Sequence, residues 1–259
     1  NDATPAAEYG FVSAVAEGPG ARLFYLDGRA TPAAGAMQLR TAVVEGGRLS
    51  ASALLDDAVC DCCPTAAVAL AGGGALVGYR DREPGEIRDV RVLRRPLAGE
   101  PSAATPGAER WEMPGCPVNG PALAVAGERS AIAWFSAAGE RPRVAVALSA
   151  DEGRRFTPPL ELDAAQPLGR VAAASLPDGF AVAWLGRAGN GAELRVARLD
   201  FAGRSGAPLA LARPPAGRAT GMPRLARLGD RLIVAWTEPE PAPGRVAVAA
   251  LPFEALPRP

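Results

Sequence analysis

The segments Ile132-Ala133-Trp134-Phe135, Val182-Ala183-Trp184-Leu185 and Val234-Ala235-Trp236-Thr237 decide the fold, because they repeat one short apolar pattern around a tryptophan. Two earlier segments, Leu23-Phe24-Tyr25-Leu26 and Leu76-Val77-Gly78-Tyr79, carry a tyrosine at the matching point. The aromatic positions 25, 79, 134, 184 and 236 are separated by steps of 54, 55, 50 and 52 residues. A nearly constant period of this length indicates a repeat architecture.

Further strand patterns surround each aromatic segment. A turn rich in glycine, proline and charge follows it, and then an alternating strand such as residues 143–147. Apolar stretches precede four of the five segments, at residues 65–70, 122–126, 171–176 and 225–228. Four strands in about fifty residues, with no helical periodicity, are typical of a β-propeller blade.

The sequence therefore predicts an all-β fold, with a single β-propeller domain over residues 1–259. Five four-stranded blades are favoured and six are the alternative, with the repeated aromatic residues buried between blades. Residues 1–12 precede the first aromatic strand, and we expect them to supply a strand that closes the ring. A β-sandwich is the second choice, because it would not produce a fivefold repeat.

Composition excludes several functions. The chain has 28 basic and 28 acidic residues, no histidine and no lysine, so every basic side chain is arginine. Ser-His-Asp and Cys-His catalysis, histidine-ligated zinc and Schiff-base chemistry are therefore excluded. The balanced charge argues against nucleic-acid binding, and no apolar run approaches the length of a membrane span.

Four cysteines, Cys60, Cys62, Cys63 and Cys116, precede the inner strands of two successive repeats. Two disulfides are favoured: one joins the 60/62/63 cluster to Cys116, and the other stays within the cluster, where Cys60–Cys63 strains the backbone least. The alternative is a thiolate site for copper(I) or zinc, with Met222 as a weak further ligand. No cofactor is favoured.

Loops that enter the first strand and leave the second strand of each blade share one rim, and charge concentrates there. Arg80, Arg170 and Arg224 lie in these loops, where three guanidinium groups could hold a carboxylate ligand. The alternative is that each arginine pairs with a neighbouring acid.

The same rim supplies acidic residues for a rival hypothesis. A glycoside hydrolase uses two carboxyl groups on either side of the scissile bond. The catalytic candidates are Asp81, Asp89 and Glu238, and Asp27 and Asp61 are further acids near the rim.

Residues 149–156 read Ser-Ala-Asp-Glu-Gly-Arg-Arg-Phe, which fits the Asp-box pattern S-x-D-x-G-x-x-F/W. The segment resembles the bacterial neuraminidase repeat of sialidase-like β-propellers. We expect Asp151 to accept backbone N–H groups across a turn that Gly153 permits, with Phe156 packed into the blade. The box is therefore structural.

A second group of segments resembles secreted bacterial proteins of the exo-α-sialidase-like kind. It comprises Cys60-Asp61-Cys62-Cys63-Pro64, Tyr79-Arg80-Asp81, Arg88-Asp89, Trp111 and Gly115-Cys116-Pro117-Val118-Asn119-Gly120-Pro121. The resemblance implies a periplasmic or extracellular protein with a carbohydrate or small anionic ligand. It adds Arg88 and Asn119 to the ligand-binding candidates.

Sialidases also carry an F/Y-R-I-P motif and a Tyr/Glu nucleophile pair, but this chain lacks the motif and has three tyrosines, two of them in the repeated aromatic position. The sequence thus favours a binding or scaffold module. A glycoside hydrolase is the first alternative and a soft-metal-binding protein is the second.

Overall fold

A computed structural model describes residues 7–33, 35–239 and 243–259, which form five antiparallel sheets. Sheet one contains β1 (Tyr9–Glu17), β2 (Gly20–Asp27), β3 (Met37–Glu45), β4 (Arg48–Leu49) and β5 (Ala53–Val59). Sheet two contains β6 (Ala66–Ala69), β7 (Gly74–Arg80), β8 (Val90–Pro96) and β9 (Ser102–Ala104). Sheet three contains β10 (Ala122–Ala126), β11 (Arg129–Ser136), β12 (Arg143–Ser149) and β13 (Leu160–Asp163). Sheet four contains β14 (Gly169–Leu176), β15 (Gly179–Ala188), β16 (Gly191–Asp200) and β17 (Leu209–Ala212). Sheet five contains β18 (Arg224–Leu228), β19 (Arg231–Glu238) and β20 (Arg245–Pro252).

Each strand pairs with the next strand along the chain in sheets two to five. In sheet one, β4 and β5 both pair with β3. The aromatic residues of the repeat lie on the second strand of every sheet, as the sequence predicts. Helical structure in the described ranges is limited to 3-10 turns at Thr31–Ala33, Ala138–Glu140, Arg218–Thr220 and Phe253–Ala255.

The first strands of all five sheets line one central channel. Alanines dominate its wall, and each of these strands contributes at least one: Ala14, Ala67, Ala69, Ala124, Ala173, Ala174 and Ala226. Small side chains suit this place because five strands converge on one axis and leave little room between them. The all-β, channel-centred arrangement confirms the predicted fold class.

Apolar clusters hold neighbouring sheets together, and one cluster lies at each junction from sheet one through to sheet five. Tyr79, Trp134 and Trp184 are buried in these clusters, as predicted. Trp236 is partly buried and packs against the cluster between sheets four and five, whereas Tyr25 is half-buried and belongs to none of these clusters, so the prediction is wrong for Tyr25. Because Phe24 and Leu26 face sheet two, strand alternation turns Tyr25 to the opposite face of sheet one.

That opposite face has no partner cluster. Within the described ranges, no apolar cluster joins sheet five to sheet one. Residues 9–12 belong to β1, so they form the innermost strand of sheet one and do not complete sheet five. Residues 1–6 of the predicted closing segment lie outside the described residues. Among the described residues there is no helix with the length and apolar character that a membrane span requires.

Candidate functional site

Backbone strain concentrates at the rim that carries the cysteines. Nine non-glycine residues have positive φ angles in the described chain, and eight of them lie at this rim. They are Phe11, Glu86, Ala108, Arg110, Val118, Glu140, Gln166 and Arg170. Such conformations persist where the surrounding structure enforces them, and they cluster at functional sites. The rim is therefore the candidate functional face of the propeller.

The cysteine cluster joins two neighbouring entering loops. Cys62 and Cys116 form a disulfide with a Cα–Cα distance of 5.9 Å, which confirms the predicted bridge between the 60/62/63 cluster and Cys116. The two loops also touch through backbone, because a Cβ on Gly120 would lie 2.0 Å from the carbonyl oxygen of Pro64. Only glycine permits this approach.

The second predicted bridge is absent, since Cys60 and Cys63 are free thiols. Both are buried, at 0% and 1% exposure, and their Sγ atoms lie 3.1 Å apart. Cys60 Sγ is also 3.8 Å from Cys62 Sγ, so three sulfurs form one compact group. The four cysteines that the sequence singled out therefore lie together, as one disulfide, Cys62–Cys116, with the free thiols of Cys60 and Cys63 beside it.

Arg88 sets the charge of this group. Its guanidinium is 5% exposed, and Nη1 lies 3.3 Å from Cys60 Sγ and 3.4 Å from an oxygen of Asp61. The hydrogen bond between the Cys60 and Cys63 sulfurs, a backbone hydrogen bond and Arg88 together outweigh burial and lower the pKa of Cys60 to about 6. Burial and the neighbouring Cys60 raise the pKa of Cys63. Arg88 was predicted to bind ligand, but here it pairs with Cys60, Asp61 and Glu86 inside the rim.

Arg80 is a structural cross-link and not an open ligand site. It is 1% exposed, and its guanidinium donates to the carbonyl oxygens of Asn119 (2.8 and 3.0 Å), Phe135 (2.8 Å) and Arg88 (2.5 Å). The guanidinium also lies 4.9 Å from the ring centroid of Trp111. The ligand-binding role of Arg80 stays a prediction; in the structure the side chain lies beneath the loop surface, where its guanidinium already bonds backbone carbonyl oxygens.

Asn119 and Arg170 likewise join loops to one another. The Asn119 side chain donates to the carbonyl oxygens of Pro117 and Leu168 and accepts the backbone N–H of Arg170 at 2.6 Å. The Arg170 guanidinium donates to the carbonyl oxygen of Gly221 at 2.8 Å. Both residues were predicted to contact ligand. In the structure their polar groups form hydrogen bonds that hold adjacent entering loops together.

The three catalytic candidates have separate partners. Asp81 pairs with Arg91 at 2.9 Å, Asp89 accepts the backbone N–H groups of Arg110 and Trp111, and Glu238 pairs with Arg245. Burial and the nearby charge of Asp56 raise the pKa of Asp81, whereas the hydrogen bond and charge of Arg245 lower that of Glu238. The backbone N–H of Asp81 donates to the backbone carbonyl oxygen of Asp89 at 2.9 Å, but among the residues described the three carboxylates share no side-chain partner.

The two further acids are also paired. Asp27 is fully buried, with Arg29 at 2.7 Å, and Asp61 meets Arg88 at the edge of the cysteine cluster. A sixth acid, Asp56, accepts a hydrogen bond from the Tyr79 hydroxyl at 2.7 Å. Sequence reasoning placed Tyr79 in the core and missed this contact, because Asp56 lies 23 residues away on the neighbouring sheet.

Arg224 is the ligand-binding candidate that remains open. It lines a cavity of about 420 Å³ at the channel mouth, together with Phe11, Val12, Met222 and proline side chains. Arg224 is exposed and is the one charged residue among the described residues that line this mouth. No side-chain hydrogen bond or ion pair joins it to the described part of the chain. Met222 is half-buried here, as a wall of the mouth.

Phe11 is the mouth residue that the sequence analysis missed. It has a φ of 50° within a register shift between Gly10 and Ser13, and 43% of its surface is exposed. Bulges of this kind redirect a side chain, and here an aromatic ring faces the mouth. One feature of the sequence could have identified Phe11: it is an aromatic residue that does not occupy the repeated aromatic position.

The Asp-box turn lies on the opposite rim and is structural. Asp151 accepts the backbone N–H of Arg155 at 2.9 Å, and Ser149 Oγ accepts that of Gly153 at 2.9 Å. A similar turn follows β16, where Asp200 accepts the backbone N–H groups of Ala202 and Arg204. The sequence pattern did not reveal this second turn because it lacks the full Asp-box spacing.

No protein-family model and no curated protein sequence matches the chain. Among solved structures, the lectin BP39L from Burkholderia pseudomallei is similar with a TM-score of 0.61 and 17% identity, over 93% of this chain and 66% of the lectin. The catalytic domain of the Coprinopsis cinerea GH62 α-L-arabinofuranosidase is similar with a TM-score of 0.50 and 11% identity, over 96% and 92% of the two chains. At these identities the comparisons show the fold alone, and the fold is a β-propeller.

Proposed function

We propose that this propeller is a binding module for a sugar that carries a carboxylate, held at the channel mouth on the cysteine-bearing rim. The observation that carries the proposal is the composition of that mouth. Phe11 offers an exposed ring, Arg224 offers a guanidinium with no partner in the described chain, and most of the other residues that line the mouth are apolar. Binding sites commonly combine an apolar lining with a few placed polar groups.

The chemistry of the two residues fits such a ligand. An aromatic ring packs against the apolar C–H face of a sugar, and a guanidinium donates two parallel hydrogen bonds to a carboxylate. The sialidase-like resemblance of the sequence and the lectin among the structural neighbours both support a carbohydrate. The Cys62–Cys116 bridge supports a periplasmic or extracellular location, since disulfides persist in oxidising compartments.

A binding role is better supported than glycoside hydrolysis. Hydrolysis needs two carboxyl groups flanking one sugar bond, about 5–5.5 or 6.5–9.5 Å apart. The residues described at the mouth include no aspartate or glutamate, and the three candidate acids each belong to a different contact. We therefore expect binding without turnover.

Isothermal titration with N-acetylneuraminic acid, D-glucuronic acid and D-mannose tests the proposal. We expect one acidic sugar to bind and mannose to bind at least tenfold more weakly. Arg224→Ala and Phe11→Ala should each weaken binding about tenfold or more, whereas Arg48→Ala, another exposed arginine, should leave it unchanged. Equal binding of all three variants would contradict the proposal.

An assay with a fluorogenic sialoside distinguishes the binding module from a glycoside hydrolase. We expect no hydrolysis above the rate seen for Arg224→Ala. Turnover that Asp81→Asn or Glu238→Gln abolishes would establish the glycoside hydrolase instead.

A further inference from the structure

We propose that the four cysteines form a thiol–disulfide exchange site in which the buried Cys60/Cys63 dithiol reacts with the surface Cys62–Cys116 bridge. The proposal is independent of sugar binding at the channel mouth. It rests on the placement of one disulfide directly beside two free thiols.

The distances allow a direct reaction. Cys60 Sγ is 3.8 Å from Cys62 Sγ, which is one half of the bridge, and 3.1 Å from Cys63 Sγ. Cys60 and Cys63 are fully buried, whereas Cys62 is half-buried and Cys116 is exposed. One oxidised pair therefore reaches solvent while one reduced pair lies behind it.

The surroundings favour a thiolate at Cys60. The Arg88 guanidinium, itself 5% exposed, places Nη1 3.3 Å from Cys60 Sγ, and the Cys63 sulfur lies within hydrogen-bond distance. A thiolate is the attacking species in disulfide exchange, and a nearby arginine stabilises it. Cys63 is the other free thiol among the described residues and its sulfur lies 3.1 Å from Cys60 Sγ, so it is the second nucleophile.

The reaction balances without an added oxidant. The Cys60 thiolate attacks Cys62 Sγ, a Cys60–Cys62 bond forms, and Cys116 leaves as a thiolate that takes up a proton. Cys63, having lost its proton, attacks Cys60 Sγ, a Cys60–Cys63 bond forms, and Cys62 leaves as a thiolate. The net change moves one disulfide from the surface pair to the buried pair, with no net oxidation.

A small disulfide can then restore the surface bridge. One molecule of oxidised glutathione and the two thiols of Cys62 and Cys116 give the bridge and two molecules of reduced glutathione. Because Cys116 is exposed, this step can occur at the surface, and the site would pass oxidising equivalents inward.

Disulfide mapping of the full chain tests the proposal. The protein is fully reduced, given one equivalent of oxidised glutathione, and quenched at intervals by acid and an alkylating agent under denaturing conditions. Mass spectrometry then locates the bridges, and metal analysis of the native protein measures copper and zinc. We expect Cys62–Cys116 to form first and Cys60–Cys63 to appear as it declines.

Three variants sharpen the test. Cys60→Ser should keep Cys62–Cys116 as the single bridge, and Cys63→Ser should stop the sequence at a mixture of Cys62–Cys116 and Cys60–Cys62. Arg88→Met should slow the transfer at least tenfold without changing the bridges that form. Circular dichroism of each variant checks that the sheets are intact.

Several results would overturn the proposal. A Cys62–Cys116 bridge that never transfers in the wild-type chain would make the dithiol a packing feature. A Cys62–Cys63 or Cys63–Cys116 bridge that forms in Cys60→Ser as fast as the wild-type transfer would remove Cys60 as the proposed nucleophile. Stoichiometric copper or zinc bound to the thiols of the native protein would assign the cluster to metal binding.

Discussion

Arginine takes two different roles at the rim, and the difference comes from tertiary contacts. Arg80 and Arg224 both stand at strand ends facing the same rim. Arg80 meets backbone carbonyls 39 and 55 residues away in sequence and is buried, whereas Arg224 meets none and stays exposed. Sequence position identified both residues but could not separate their roles, because the carbonyl partners belong to other loops.

We expect Arg80→Lys to lower the free energy of unfolding by about 3 kcal/mol, because one ammonium cannot replace a guanidinium that bonds several carbonyls at once. Arg224→Lys should change it by less than about 0.5 kcal/mol, as for other exposed sites. Urea denaturation of the two variants measures the difference. Equal stability of Arg80→Lys and wild type would show that the buried cross-link contributes little.

Asp27 provides a pH-dependent test. Burial opposes its ionisation, but the hydrogen bonds of Arg29 and the charge of Arg40 are stronger and hold its pKa below the usual 3.8. The unfolded chain therefore takes up this proton first as pH falls, and the stabilisation present above pH 3.8 is lost as pH drops through the lower folded value. Asp27→Asn should lower the free energy of unfolding by about 2 kcal/mol at pH 7, since it weakens a buried charged hydrogen bond.

The loss from Asp27→Asn should shrink progressively below about pH 4, where wild-type Asp27 also loses its charge. Asp57→Asn, at an exposed aspartate, is the matched control and should show almost no effect at either pH. Urea denaturation at pH 7, 4 and 3 makes the comparison. A constant difference between wild type and Asp27→Asn across this range would contradict the assigned ion pair.

The turns that leave the third strand of a sheet make hydrogen bonds that the local sequence predicts. The Asp151 contacts were predictable because an aspartate bonds backbone groups two to four residues along the same turn. The Cys60–Arg88 contact was not predictable, because it spans 28 residues between two loops. Hydrogen bonds within one turn can be predicted from neighbouring residues. Contacts between loops cannot, because they form only when the rim is assembled.

Gly153 tests the turn directly. It has a φ of 79°, and an added Cβ would lie 2.7 Å from the Leu76 side chain of the preceding sheet. Gly139 has a φ of 63° and open space around it, so it is a matched control for backbone strain alone. We expect Gly139→Ala to lower the free energy of unfolding by about 1 kcal/mol and Gly153→Ala by about 2–4 kcal/mol. Thermal and urea unfolding of both variants would measure the gap, and equal losses would show that Leu76 yields freely.

The repeat in the sequence predicts the fold of the whole molecule better than it predicts the candidate site. A period of about fifty residues and strand alternation predicted the strand order, because both are properties of neighbouring residues. The channel mouth could not be predicted in the same way, since five separate strands supply it and Phe11 reaches it through a bulge. The cysteine pairing was partly accessible, because equivalent loops of adjacent repeats lie side by side.

The side of sheet five away from sheet four remains uncovered in the described structure. Leu228, Val246 and Val248 are 67%, 70% and 61% exposed, although the repeat places a valine or leucine at 246 just as at Val144 and Leu194. Val144 and Leu194 are fully buried because the next sheet packs on them. The same repeat position is therefore core or surface according to whether another sheet follows.

A pair of alanine substitutions tests this asymmetry. Val144→Ala should lower the free energy of unfolding by about 2 kcal/mol, because it removes two buried methyl groups and leaves a cavity between sheets three and four. Val246→Ala makes the same chemical change at a side chain that is 70% exposed, so it should alter stability by less than about 0.5 kcal/mol. Urea denaturation at several protein concentrations, with sedimentation velocity on the same samples, compares the two. If Val246→Ala costs as much as Val144→Ala, or its effect depends on protein concentration, this face of sheet five is covered in solution and the exposed valines are part of a contact.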